Sequence, residues 1–124
     1  MQPELQAAVY ARLNGYLTAP VFDFVPPGTK TPYVTVGEDN FTPDDTDDSL
    51  GGEAFVEIEI WSTYEGKKEA KALAKAIYQR MHRAELEVDG YSLAVAHWDS
   101  SDSFEEPDGK TTRAVEIYRV VIHE

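Results

Sequence analysis

The sequence predicts an α+β fold, a two-layer sandwich in which two helices pack on one face of a mainly antiparallel four-stranded sheet, in the order α-β-β-α-β-β. Three observations point there. Two segments repeat apolar residues at helical spacing, four concentrate or alternate β-branched residues, and neighbouring strands are joined by turns or by one long hairpin. With 124 residues, 42% of them hydrophobic, the chain can build one core, so a single domain over 1–124 is expected.

The first helix is expected from Pro3 to about Leu17, where Leu5, Val9, Leu13, Tyr16 and Leu17 form one stripe. Pro3 suits a first turn because its missing N–H has no partner there, and Glu4 complements the positive end of the helix. Thr18 to Pro32 contains Pro20, Pro26, Pro27, Pro32 and Gly28, and reads as an ordered connection. Within it, Val21 to Val25 is a candidate short edge strand.

Tyr33 to Glu38 is rich in β-branched residues and is expected as a strand. About residues 39–52, with Asp44, Asp45, Asp47 and Asp48 and no cation, bury little and repel one another. They are expected to be a mobile loop or the far end of a long hairpin, poorly ordered in an isolated subunit. From Glu53 to Thr63 the alternation is strict: Val56, Ile58 and Ile60 on one face, Phe55, Glu57, Glu59 and Trp61 on the other. Gly66 to about Arg83 carries Ala70, Leu73, Ala74, Ile77 and Met81 at helical spacing, with Lys67, Lys68, Lys71 and Lys75 around the other side. The strand's apolar face should meet Leu73, Ile77 and Met81 in the core. Asp89-Gly90 marks a turn before a strand from Tyr91 to about Asp99. Pro107 to Lys110 marks the next turn, and Thr112 to His123 the last strand.

Charge and composition remove several classes of function. With 23 acidic against 11 basic residues, a net charge of −12 argues against an electrostatic grip on nucleic acid, which works by replacing phosphate counterions, and against binding to an anionic membrane surface. Without cysteine there is no disulfide scaffold, thiolate nucleophile or cysteine-held metal. No apolar run reaches the roughly 18 residues of a membrane span, and the first residues lack a signal-peptide pattern, so a soluble, unsecreted domain is expected.

The charges are also segregated. Between Lys30 and Lys67 there is no Lys or Arg, whereas the second helix holds Lys67, Lys68, Lys71, Lys75, Arg80 and Arg83. A bipolar subunit of this kind suits a heterologous contact, basic helix against a neighbour's acidic strand, with Phe55 and Trp61 supplying apolar contact. The plainer alternative is a solvated helix beside a solubilising loop.

Catalytic and metal readings find little support. The Asp44 to Asp48 run offers hard oxygen ligands, but with Asp45 counted as first the twelfth residue is Val56 and not the bidentate Glu a calcium loop requires. Pro43-Asp44 followed by Glu65-Gly66-Lys67 imitates a metal-dependent nuclease, although such chemistry needs the carboxylates on adjoining strands. His82, His97 and His123 show no ligand spacing, and no phosphate or dinucleotide loop occurs. No catalytic residue, metal or cofactor is therefore expected. Trp61, Trp98, Phe55 and Tyr118 are candidates for an aromatic patch or for ordinary cross-strand packing.

In their order and spacing the residues resemble a known family. Pro3-Glu4-Leu5 through Leu13, Val21-Phe22-Asp23 with Val25-Pro26, and Pro32-Tyr33-Val34-Thr35-Val36-Gly37-Glu38 are followed by Val56-Glu57-Ile58-Glu59-Ile60-Trp61-Ser62. Then come Gly66 leading into Glu69-Ala70-Lys71, Met81-His82 and Asp108-Gly109-Lys110-Thr111. Together they resemble the tail-terminator, or tail-completion, proteins of long-tailed phages and gene transfer agents. The resemblance implies a structural virion protein, a homo-oligomer forming a hexameric ring that caps the tail tube, stops its polymerisation and joins the head. The implied partners are the major tail tube protein and a head-tail stopper or connector protein, with DNA only as cargo passing through the lumen and no membrane. The implied place is the head-proximal end of the tail, after assembly in the host cytoplasm. Alternatives are another head-tail connector, a stopper or adaptor, or a small metal-dependent enzyme using Asp44 to Asp48.

Overall fold

The structure is a computed structural model that describes residues 3–44 and 51–123. Its elements in chain order are α1 (Pro3–Leu13), β1 (Val21–Phe22), β2 (Tyr33–Asp44), β3 (Gly51–Ser62), α2 (Lys68–Met81), β4 (Leu93–Glu105) and β5 (Thr112–His123). The strands make one sheet in the order β1-β2-β3-β5-β4. β1 runs parallel to β2, and the other neighbours are antiparallel. The expected α+β architecture holds, but the four-stranded antiparallel sheet becomes a five-stranded mixed one. The added strand is the candidate edge strand, reduced to Val21 and Phe22 opposite Val34 and Thr35. A two-residue strand is too short to display alternation, so its partner could not be read from the sequence.

Each helix contributes one apolar stripe to a single side of the sheet. Leu5, Val9 and Leu13 of α1, and Ala70, Leu73, Ile77 and Met81 of α2, are buried. They join Val34, Val36, Ala54, Val56, Ile58, Ile60, Tyr118, Val120 and Ile122 in one cluster, so the expected pairing of the β3 stripe with α2 is correct. The helices are also tied to each other. Arg12 Nε donates to the Arg80 carbonyl and Arg80 Nε to the Arg12 carbonyl, both at 3.0 Å. Each guanidinium thus meets the negative end of the other helix. α1 ends at Leu13, short of Leu17, because Gly15 takes φ +84° and turns the chain, leaving Tyr16 exposed and Leu17 buried.

Two strands run further than expected. β2 continues to Asp44 across a bulge between Val36 and Asp39, paired with β3 as far as Asp44 opposite Gly51. Residues 39–44 and 51–52 are thus the far end of a long hairpin, and Asp45, Asp47 and Asp48 lie outside the described residues. At Gly51 a β-carbon would stand 2.5 Å from the Ile122 carbonyl oxygen, so β5 approaches too closely for any side chain there. β4 runs to Glu105, where a strand ending near Asp99 was expected, because β5 offers it a full-length partner. Its register shifts between Trp98 and Ser100, which reverses the alternation and sends Phe104 to the face opposite Trp98. The outer edge of β4 is protected. Residues 83–86 bond to Ala94 and Ala96 along its first half, and Asp102 Oδ1 accepts the Ser103 N–H at 2.8 Å in its acidic second half.

Two polar groups sit on the covered face of β5. Glu116 is 5% exposed, at the floor of a cleft of about 280 Å³ between α2 and the distal half of β4. Its carboxylate accepts from the Ser101 hydroxyl and from Trp98 Nε1 at 3.4 Å, yet burial outweighs both bonds and raises its pKa above the ordinary value. Tyr118 is fully buried, and its hydroxyl has no protein partner among the described residues. Desolvation and the nearby Glu116 charge push the phenol up.

Two predictions follow from this packing. Ile58→Ala should lower stability by about 2–5 kcal/mol through lost burial and a cavity, whereas Glu57→Ala on the other face should change it by under ~1 kcal/mol; denaturant melts compare them, and equal losses would mean the strand phase is wrong. Glu116 holds its proton more tightly folded than unfolded, so its contribution is fully present below the ordinary carboxylate pKa and is lost as pH rises through the raised one. Glu116→Gln keeps an acceptor without the charge, and its stability relative to wild type should increase from pH 4 to pH 7. Thermal melts at the two pH values check this.

Candidate functional site

The open face of the sheet is the first candidate surface. Strict alternation along β3 and its register with β5 place Glu53 beside Val121, Phe55 beside Arg119, Glu57 beside Ile117, Glu59 beside Val115 and Trp61 beside Arg113. No helix covers these side chains, most of which are half-buried by one another. Arg119 pairs with Glu53 at 3.2 Å.

Arg113 is the centre of this face. Its Nε meets Glu106 at 2.8 Å and an Nη meets Glu59 at 3.4 Å, and these bonds reinforce its positive charge. The guanidinium lies over Trp61 at 5.8 Å and over Phe104 at 4.9 Å. Trp61 stacks on Tyr33 with ring centroids 6.1 Å apart, and its Nε1 donates to Thr35 Oγ1 at 3.2 Å. Phe22 meets Tyr33 edge-on at 6.1 Å. The series Phe22, Tyr33, Trp61, Arg113, Phe104 therefore crosses all five strands in their spatial order. Beyond it, the turn from β4 to β5 is closed by Asp108, which accepts the N–H groups of Lys110 and Thr111 and the Thr111 hydroxyl, holding its carboxyl down to about 2.

Of the two readings for Trp61, Trp98, Phe55 and Tyr118, the aromatic patch is not one surface. Trp61 and Phe55 stand on the open face and Tyr118 lies in the core. Trp98 belongs to the helix side, edge-on to Tyr78 at 6.4 Å, beside a Tyr78–His82 stack at 4.7 Å. The sequence reading missed Tyr33, Phe104, Arg113 and Arg119. The alternation of β5 carried the signal for the two arginines, but the bulge after Trp98 conceals Phe104.

The second surface is the outer side of α2. Lys67, Lys68, Lys71 and Lys75 are exposed, and none makes an ion pair among the described residues. Lys67, at the start of the helix, offers no side-chain cap, and Lys67, Lys68 and Lys71 crowd the helix end where the macrodipole disfavours cations. Glu69 in the first turn, accepting from Ser62 Oγ at 2.7 Å, offsets part of that cost. Within one chain the lysines lie on the opposite side of the sheet from Glu57 and Glu59. The structure thus collects Phe55, Glu57, Glu59 and Trp61 on one surface and the four lysines on another, without joining them.

The catalytic candidates disperse. Asp44 pairs with Gly51 at one end of β3, while Glu65 and Lys67 follow its other end, twelve residues and roughly 35 Å away, so the nuclease-like pattern is disassembled. His82 Nδ1 already accepts the Trp98 N–H at 3.0 Å. Among the described residues no group of three or more His, Asp or Glu could hold a metal ion. No helix among them is long and apolar enough to cross a membrane.

Comparison with known proteins agrees with a structural role. The family model of the tail completion protein gp17 matches residues 4–123, and the chain belongs to that family, whose members are structural proteins of phage tails. Among solved structures the fold is similar, at a TM-score of 0.86 and 25% identity, to a chain in the virion of a native gene transfer agent particle. The match covers 97% of this chain and 95% of that one. No curated protein matches.

Proposed function

We propose that this chain is the ring that completes a tail. Copies of it close into a hexamer on the end of the tail tube, stop the tube's polymerisation and present the surface to which the connector of a filled head attaches. The observation that carries this reading is the match of family and virion fold over nearly the whole length of the chain. The whole of 1–124 acts as one unit, and its role is structural, with no catalytic group or cofactor.

The physics of the subunit supports the same reading. A two-layer slab with unlike outer surfaces suits a head-to-tail contact, which closes into a ring when the rotation between neighbours divides a circle. The net charge of −12 suits a lumen crossed by DNA, because a negative wall does not retain phosphate. The protein's place is then the head-proximal end of the tail, reached by assembly in the host cytoplasm, with the major tail tube protein on one side and a stopper or connector on the other. A role as stopper or adaptor would place it against a ring already on the tube.

Adding the purified protein to polymerising tail tube protein tests the proposal. Electron microscopy should find elongation halted and one ring at an end of each tube. Continued growth, or binding only to tubes that another ring has capped, would reject the terminator role.

A further inference from the structure

We infer that the subunit contact is made between the lysine face of α2 in one copy and the open sheet face of the next. This inference rests on the reading as a ring-forming tail protein and names its surfaces. The two faces lie on opposite sides of each subunit, so the contact joins unlike surfaces and leaves one of each free for the following copy. The occupant of the open face is a second copy of this chain because the charges match. Lys68, Lys71 and Lys75 have no ion-pair partner in their own chain among the described residues, and the open face stays acidic after its arginines are counted: Glu53, Glu57, Glu59 and Glu106 stand against Arg113 and Arg119, which pair with Glu53, Glu59 and Glu106.

Apolar contact accompanies the charge. Phe55, Trp61, Ile117 and Val121 are half-buried on a surface with no helix above it. A helix laid across them would shield these side chains and bring its lysines to the β3 carboxylates. Lys68 and Lys71 sit in the opening turn of α2, where the helix dipole disfavours cations, a local cost that assembly with an acidic neighbour offsets. Exposed ion pairs are individually weak, so the charges set orientation and exclude like-faced contacts while the aromatic and aliphatic side chains supply most of the affinity.

Two complementary charge swaps test the pairing. Lys71→Glu with Lys75→Glu makes the helix face acidic, and Glu57→Lys with Glu59→Lys makes the sheet face basic. Light scattering of wild type should find concentration-dependent oligomers, and each variant alone, with its thermal melt confirming a folded subunit, should assemble roughly tenfold or more weakly at low salt. An equimolar mixture of the two should recover assembly, because every contact in an alternating ring is again between opposite charges. If either swap prevents folding, the neutral pairs Lys71→Gln with Lys75→Gln and Glu57→Gln with Glu59→Gln replace it, and each should weaken assembly and reduce its salt dependence.

Variants that assemble as well as wild type, or a mixture that does not recover, would overturn the pairing while leaving the ring itself standing. Loss in the helix variant alone would also overturn it, moving the acidic partner to another surface such as the groove of about 760 Å³ between α1 and residues 85–94, which Glu4, Glu85, Glu87 and Asp89 line. Wild type that stays monomeric at every concentration and salt would remove both the pairing and the ring.

Discussion

The alternation along β3 is the constraint on which the remaining structure depends. With β2 on one side and β5 on the other, the strand has neighbours along its length, and its burial alternates from Gly51 to Ser62 without a break. A shift of one residue would carry Val56, Ile58 and Ile60 into water and Glu57 and Glu59 under the helices. The penalty for that exchange, buried charge on one side and exposed aliphatics on the other, fixes the register of the central three strands. The helices then have one apolar surface to cover.

Once β3 is fixed, the separation of charge follows from geometry. Helices packed on one side turn their polar residues outward, and the acids that alternate with the core residues of β3 point the other way. Sequence neighbours only a few positions apart, Glu59 at the end of β3 and Lys67 just before α2, therefore serve opposite surfaces. The open face is nevertheless ordered in its own right. Arg113 satisfies two carboxylates and two aromatic rings together, which holds the long side chains of β3, β4 and the turn after β4 in one arrangement. A preorganised surface of this kind loses less side-chain entropy when a neighbour covers it.

Beneath α2 the core departs from an apolar ideal. Glu116 and Tyr118 occupy inward positions of β5 that alternation alone would assign to aliphatic residues, between Ala114 and Val120. The carboxylate is tied to Ser101 and Trp98 on either side of the β4 bulge, so the buried polar group fastens β4 to β5 where the pairing is irregular. The phenol supplies a large fully buried ring whose hydroxyl gains no compensating bond among the described residues.

Local pattern determined both helices, the inward residues of β3 and the last strand from Thr112 to His123, because 3.6- and 2-residue periods are written into successive residues. It also separated the acidic strand residues Glu57 and Glu59 from Lys67, Lys68, Lys71 and Lys75, and it marked Phe55 and Trp61 as outward-facing. The tertiary structure alone decided what depends on a partner distant in sequence: that Val21 and Phe22 lie parallel to β2, that the acidic segment 99–105 completes β4, and that the bulge after Trp98 turns Phe104 toward Arg113. It also decided that Glu116 is buried although it lies in an apparently regular strand. A bulge changes the phase of everything beyond it, and a buried carboxylate is recognised only by what stands over it. Neither property belongs to any short stretch of the chain.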